Sequence, residues 1–121
     1  MKVIVKATLK GAFTGACLGM IPVLHVSHAQ QVVDPLAAAA NKGGLAQSLN
    51  GTRVQNIVAP NAGGLSHNKF QTFNVDAKGL VINNSRINAV SGIGGAVVAN
   101  PNLANGEARL ILNEVTSANR S

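Results

Sequence analysis

Aromatic side chains are almost missing from this chain of 121 residues: it has three phenylalanines, no tryptophan and no tyrosine. Cysteine occurs once, at Cys17, and only four residues are acidic. Without stacking side chains, and with Lys and Arg spread singly rather than clustered, the chain offers neither the platform nor the basic stripe of a nucleic-acid surface. A lone cysteine excludes an internal disulfide framework. The longest uncharged, mostly apolar run is 11–24 (GAFTGACLGMIPVL). It falls short of the roughly 20 residues that cross a bilayer as a helix.

What is present at the amino end has the order of a leader. Lys2, Lys6 and Lys10 make a basic start, the apolar run follows, and Ser27-His28-Ala29 supplies small residues at the −3 and −1 positions of a cleavage site. This order predicts a signal peptide over 1–29, handled by the Sec machinery and removed after Ala29. Cys17 is a poor lipoprotein cysteine, because Thr14 stands where such a site wants an aliphatic residue. Residues 30–121 then carry seven Lys/Arg against four Asp/Glu, a net charge of +3, and no cysteine. Such an exported domain is held by backbone ladders and packing alone, or by continuation into something larger.

Residues 30–50 read as a lead-in. Asp34 can cap a helix with Pro35 in its first turn, and alanines favour it, but Gly43-Gly44 ends it within about two turns. A short helix and an ordered lead-in both fit. Over 51–121 four segments show strand patterning between turn signals: TRVQNIVA, KFQTFNV, LVINN and ARLILNEVT. The expectation is an all-β domain. In Leu80-Val81-Ile82 and Leu110-Ile111-Leu112 consecutive residues are apolar, so both faces of these strands want cover. Fourteen asparagines, among them Asn56, Asn74, Asn83, Asn84 and Asn113 in or beside strands, need amide partners that an ordinary strand does not provide. Stacked asparagines at the corners of a β-solenoid provide them, although roughly three or more coils are needed before each covers the next. On strand count alone a small β-sandwich also fits.

From Asn50 to Ser121 the phrases NGTRVQNIVAPNAGGLSHNKFQTFNVDAKGLVINNS and GIGGAVVANPNLANGEARLILNEVTSANRS resemble the amino-terminal secretion domain of two-partner secretion exoproteins. That family takes in filamentous haemagglutinins, haemolysins of the same pathway and contact-dependent growth-inhibition toxins. The resemblance implies a right-handed parallel β-helix with capping strands and extra hairpins. It also implies an exported Gram-negative protein recognised by the periplasmic domains of an outer-membrane β-barrel transporter, and secreted or held at the cell surface. The motifs that resemble the family's are Ser66-His67-Asn68, Asn83-Asn84, Asn100-Pro101-Asn102-Leu103 and Asn113-Glu114. They are the candidate residues for transporter recognition or folding. The family's domain is roughly twice as long and carries a second Asn-Pro-Asn tetrad, so the resemblance implies a β-helix incomplete at the carboxyl end, with a passenger and its cell-surface target beyond it.

The sharper readings fail on the residues themselves. In an extended chain the side chains of Ser66 and His67 point to opposite faces, so with Asp76 they do not assemble a nucleophile-base-acid triad, and no G-x-S-x-G elbow is present. The expected alternative is a turn, Gly64–Asn68, in which Ser66 and Asn68 bond the backbone. His67 has no ligand spacing around it, since His25 and His28 lie in the leader. Gly92-Ile93-Gly94-Gly95 lacks the Lys-Ser/Thr of a phosphate loop and reads as a turn. Asn100-Pro101-Asn102-Leu103 reads as a turn that tucks Leu103 inward. The expectation is therefore a module without enzymatic chemistry, cofactor or metal, recognised in the periplasm and nucleating a β-helix outside. A free-standing small adhesin and a gene fragment without function are the alternatives.

Overall fold

The computed structural model describes residues 1–7, 30–119 and 121. The apolar run, Cys17 and the Ser27-His28-Ala29 segment lie outside the described residues. Among the described residues nine strands run in chain order: β1 (Lys2–Ala7), β2 (Gln31–Val33), β3 (Gly44–Gln47), β4 (Arg53–Asn56), β5 (Leu65–Phe73), β6 (Val81–Asn83), β7 (Ala89–Ser91), β8 (Gly95–Val97) and β9 (Leu110–Val115). The described residues hold no α-helix, only one 3-10 turn at Ala39–Asn41. The all-β expectation is met.

One sheet has the order β1-β9-β5-β2, a second the order β3-β4-β6, and β7 and β8 form a hairpin. From β4 onward the chain passes to the first sheet as β5, returns as β6 parallel to β4, and later comes back as β9 parallel to β5. Parallel neighbours so close in sequence require the chain to cross between the two sheets on each pass. The crossings therefore turn corners, and the corners carry buried backbone outside any ladder.

Strand β5 shows how residue type sets this layout. Ser66, Asn68 and Phe70 point inward and are buried, while Leu65, His67 and Lys69 alternate on the other face. Their rung partners on β9 are Ile111, Asn113 and Val115 inward, with Leu110, Leu112 and Glu114 outward. The turn expected at Gly64–Asn68 is corrected: residues 65–68 belong to β5, and the turn lies one step earlier. There the Gly64 amide donates to the Asn61 carbonyl at 2.9 Å, and Asn61 Oδ1 accepts from the amides of Gly63 and Leu65. Gly64 has φ +84°, and a Cβ there would meet the Arg109 side chain at 2.7 Å. Local polar composition suggested a turn, but pairing with β9 makes a strand.

The lead-in forms strands β2 and β3 with the 3-10 turn Ala39–Asn41 between them, not an α-helix capped by Asp34. Asp34 Oδ1 accepts from the Leu36 amide at 2.9 Å, closing an Asx turn where a helix cap was weighed. Flanking it, β2 runs antiparallel to β5 and β3 antiparallel to β4. Gly43 lets this approach happen, since a Cβ there would sit 2.6 Å from the Asn56 carbonyl oxygen. Between LVINN and ARLILNEVT, where no strand was expected, lies the β7–β8 hairpin, and Gly92–Gly95 lies at its tip.

Among the described residues two apolar clusters make the core. Ile57, Leu103, Ala108 and Ile111 form one, with Ile82 against it. Phe70, Phe73 and Val115 form the other, with Val33 and Leu80 against it. By register the Asn68–Asn113 rung falls between the Ser66–Ile111 and Phe70–Val115 rungs, so a polar layer separates the clusters.

Candidate functional site

The corner after β4 is where the candidate residues converge. Ile57 and Val58 are buried there, outside the strands, and buried backbone groups without partners are costly. Side chains supply the bonds. Ser66 Oγ donates to the Val58 carbonyl at 2.8 Å, and Asn68 Oδ1 accepts from the Val58 amide at 2.9 Å. The Ile57 carbonyl accepts from both Asn100 Nδ2 and Asn102 Nδ2, each at 3.0 Å. Asn100 Nδ2 also reaches the Asn83 carbonyl at 2.9 Å, and its Oδ1 accepts from the Asn102 amide at 2.9 Å. Pro101 is exposed at the outside of this turn while Leu103 is fully inside the core. The tetrad is thus a staple that pins the corner after β4 to the end of β6.

The remaining asparagines act alike. Asn83 Nδ2 donates to Asn56 Oδ1 at 2.8 Å, its rung partner on β4, and to the Val98 carbonyl at 2.9 Å. Asn84 mimics a strand toward Ala108, donating to its carbonyl at 2.9 Å and accepting from its amide at 2.8 Å. Asn113 is fully buried and exchanges two bonds with Gln55, at 2.7 and 2.8 Å. Among the described residues the single buried side-chain polar atom without a partner is Gln31 Oε1.

Ser66 and His67 do point apart. Ser66 is inside, committed to Val58, while His67 Nε2 donates to Glu114 Oε2 at 2.7 Å on the outer face, their side chains 29% and 19% exposed. Asp76 bonds the Lys78 amide in its own turn. These three residues are not brought together. Among the described residues no group of three His, Cys, Asp or Glu side chains is placed to hold a metal ion. An apolar surface depression between β3 and the β7–β8 hairpin, lined by Leu49, Val90, Val97 and Val98 among others, contains no ionisable side chain.

Ser66→Ala should cost about 1–3 kcal/mol, because it strands the buried Val58 carbonyl. His67→Ala should cost less, since the His67–Glu114 pair lies on the outer face and is partly solvated, whereas Ser66 is fully buried. Thermal unfolding of the full chain followed by circular dichroism checks the order. A larger loss at His67 would contradict it.

Sequence reasoning missed two members of this network. Gln55, the partner of Asn113, was visible only as a polar residue in the middle of a strand segment. Asn41 Nδ2 donates to the His67 carbonyl at 2.9 Å from the lead-in, 26 positions away, and no local pattern marks it.

Comparison with known proteins gives a consistent set. The family model for the TPS secretion domain matches residues 29–121. The chain is similar to the "Hemolysin" of Serratia marcescens, 49% identical over 85 residues, which cover 70% of this chain and 5% of that protein. It is similar to the "Filamentous hemagglutinin" of Bordetella pertussis (strain Tohama I), 46% identical over 106 residues, covering 88% of this chain and 3% of that protein. It is also similar to the "tRNA nuclease CdiA" of Escherichia coli O6:K15:H31 (strain 536 / UPEC), 46% identical over 84 residues, covering 67% of this chain and 3% of that one. Its fold matches a crystal structure of a filamentous hemagglutinin secretion domain with a TM-score of 0.62 and 44% identity, covering 74% of this chain and 28% of that one. The chain therefore spans only a small fraction of the length of these relatives.

Proposed function

This chain belongs to the TPS secretion domain family of two-partner secretion exoproteins, and from that membership we propose that it is the secretion-targeting and fold-nucleating module of a filamentous-haemagglutinin-like exoprotein. In this reading residues 1–29 are a Sec leader removed after Ala29. The remainder is recognised by the periplasmic domains of an outer-membrane β-barrel transporter and is delivered to the cell surface or the medium. The alternation of β4, β5, β6 and β9 between two sheets is read as the first coils of a right-handed parallel β-helix, with β2 and β3 as capping strands. Haemolytic, adhesive or growth-inhibiting activity, and any cell-surface target, are assigned to parts of the longer relatives that this chain does not match.

One observation carries the reading: the motif residues are spent on the inside. Ser66, Asn68, Asn83, Asn100, Leu103 and Asn113 are buried, so a transporter reads them only in an unfolded or partly folded chain. In the folded chain they hold the corners. Of the same motifs, Pro101 and Asn102 are exposed, and His67, Asn84 and Glu114 are partly so. The two roles then follow each other in time, with recognition before folding and corner formation after passage. Free β-edges in the partly folded chain suit strand addition by a partner.

The test is release of a reporter fused after Ser121, in cells with and without a cognate transporter. Release should depend on the transporter. Asn100→Ala, which removes three hydrogen bonds from the corner, should lower release on the order of tenfold, while Asn105→Ala on the exposed loop should leave it near wild type. Transporter-independent release, or equal release for both variants, would count against the proposal.

A further inference from the structure

Asparagine precedes glycine at two places, Asn50-Gly51 and Asn105-Gly106, and both asparagines are exposed. We propose that Asn105 is a self-modification site of the folded domain, converting to aspartate and isoaspartate through a cyclic imide, and that Asn50, with the same local sequence, is held back by its hydrogen bonds. The residue pair is the same at both places. What differs is its setting in the fold, and nothing in this depends on the secretion reading above.

The step needs only water. The Gly106 amide nitrogen, giving up its proton to solvent, attacks the carbon of the Asn105 side-chain amide; the bond from that carbon to Nδ2 breaks and ammonia leaves. Water then opens the five-membered imide at either carbonyl, which leaves aspartate or, with the main chain rerouted through the side chain, isoaspartate. One water is consumed and one ammonia released, with no oxidant or reductant. Glycine is the favourable successor because no Cβ crowds the attacking nitrogen.

At the backbone the two sites are matched. Gly51 and Gly106 have φ +86° and +138°, and a Cβ on either would meet nothing within 4 Å. The Gly51 amide donates to the Ser48 carbonyl at 3.0 Å and the Gly106 amide to the Leu103 carbonyl at 3.1 Å, so each attacking nitrogen must first release one turn bond. The side chains differ. Asn50 Oδ1 accepts from Ser48 Oγ at 2.8 Å, from Thr52 Oγ1 at 2.9 Å and from the Thr52 amide at 3.1 Å, while Nδ2 donates to the Ile93 carbonyl at 2.9 Å. Its amide swings back onto Gly51 only by breaking that set, which also ties this turn to the tip of the β7–β8 hairpin. Among the described residues the Asn105 side chain makes no hydrogen bond.

The product has a setting as well. Arg86 Nη2 donates to the Ala104 carbonyl at 3.0 Å, so the new carboxylate arises one residue from a carbonyl that a guanidinium already grips, where opposite charge favours it. Isoaspartate further lengthens the main chain by one methylene between Leu103 and Ala108, which are buried in one cluster. The loop entering β9 thus gains a negative charge and a longer path as the folded domain ages.

The test incubates the full chain in mildly alkaline buffer and follows both sites by mass spectrometry of tryptic peptides. Cleavage after Lys42, Arg53, Arg86 and Arg109 puts Asn50 in the peptide 43–53 and Asn105 in 87–109. In the folded chain Asn105 should convert roughly tenfold or more faster than Asn50, which reacts only from a locally opened state. In guanidinium chloride the two rates should become similar. Ser48→Ala with Thr52→Val removes two bonds to Asn50 Oδ1 and should raise the Asn50 rate severalfold without changing that of Asn105. Asn105→Gln should remove most of the acidic form that accumulates on ion exchange, and Asn105→Asp should run with that form from the start. Equal rates in the folded chain, no conversion at Asn105, a rate ratio that survives denaturation, or an Asn50 rate indifferent to the loss of its two tethers overturns the proposal.

Discussion

Replacing Phe70 with alanine should remove about 3–5 kcal/mol of stability, the range for emptying a large aromatic site in a packed core. Phe70 is fully inside, stands edge-on to Phe73 with centroids 4.9 Å apart at 66°, and shares its cluster with Val115. The chain has no tryptophan or tyrosine and only one other aromatic among the described residues, Phe73. Nothing of comparable size stands ready to fill the gap. Against a total margin of about 5–15 kcal/mol the loss is large, and the thermal midpoint should fall on the order of 15 °C or more. Phe70→Leu, which keeps much of the volume, should fall markedly less. Circular dichroism on heating checks both, and equal midpoints for the two variants would refute the packing argument.

Asn113→Ala should cost about 3 kcal/mol for a different reason. It leaves the Gln55 amide buried with both of its bonds to Asn113 gone, and the penalty for stranding a buried polar group exceeds the net worth of the bonds themselves. Gln55→Leu should cost about as much by stranding Asn113. The double variant Gln55→Leu with Asn113→Leu removes both polar groups together, so it should be more stable than the sum of the singles by more than about 1 kcal/mol. A double-mutant cycle from urea unfolding measures this coupling. Simple additivity would mean that water reaches the pair and that the layer between the two apolar clusters is not dry.

Strands β4, β5, β6 and β9 were legible because their side chains alternate or run apolar over three or more positions, and that pattern is local. Strands β2, β3, β7 and β8 were not. Each is three or four residues long, β3 and β8 contain glycine and alanine, and they exist because their backbones pair with a neighbour rather than because their side chains demand it. The stretch Leu65–Asn68 misled in the opposite direction. Ser, His and Asn suit turns, yet the parallel β9 ladder takes their backbone and the corner takes the inward side chains of Ser66 and Asn68.

The candidate motifs were legible as residues but not as a place. The sequence reading could require partners for its asparagines without naming them, since Gln55 and Asn113 lie 58 positions apart, and Asn102 and Ile57 lie 45 apart. The β4 corner depends on which strand lies beside which, a question that propensity and alternation do not reach.

By itself, then, the sequence determined the all-β class, the resemblance to a secretion family, the divergence of Ser66 from His67 and the inward tuck of Leu103. Each follows from patterns spanning a few residues: strand period, turn chemistry or a signature phrase. Tertiary structure alone decided that the asparagines close corners, that Glu114 answers His67, that the lead-in joins both sheets, and that Lys2–Ala7 lies along β9. The reason is the same in each case. A buried amide or an open strand edge must be satisfied by whatever group the fold brings within about 3 Å, and that group is chosen by register between segments far apart in the chain.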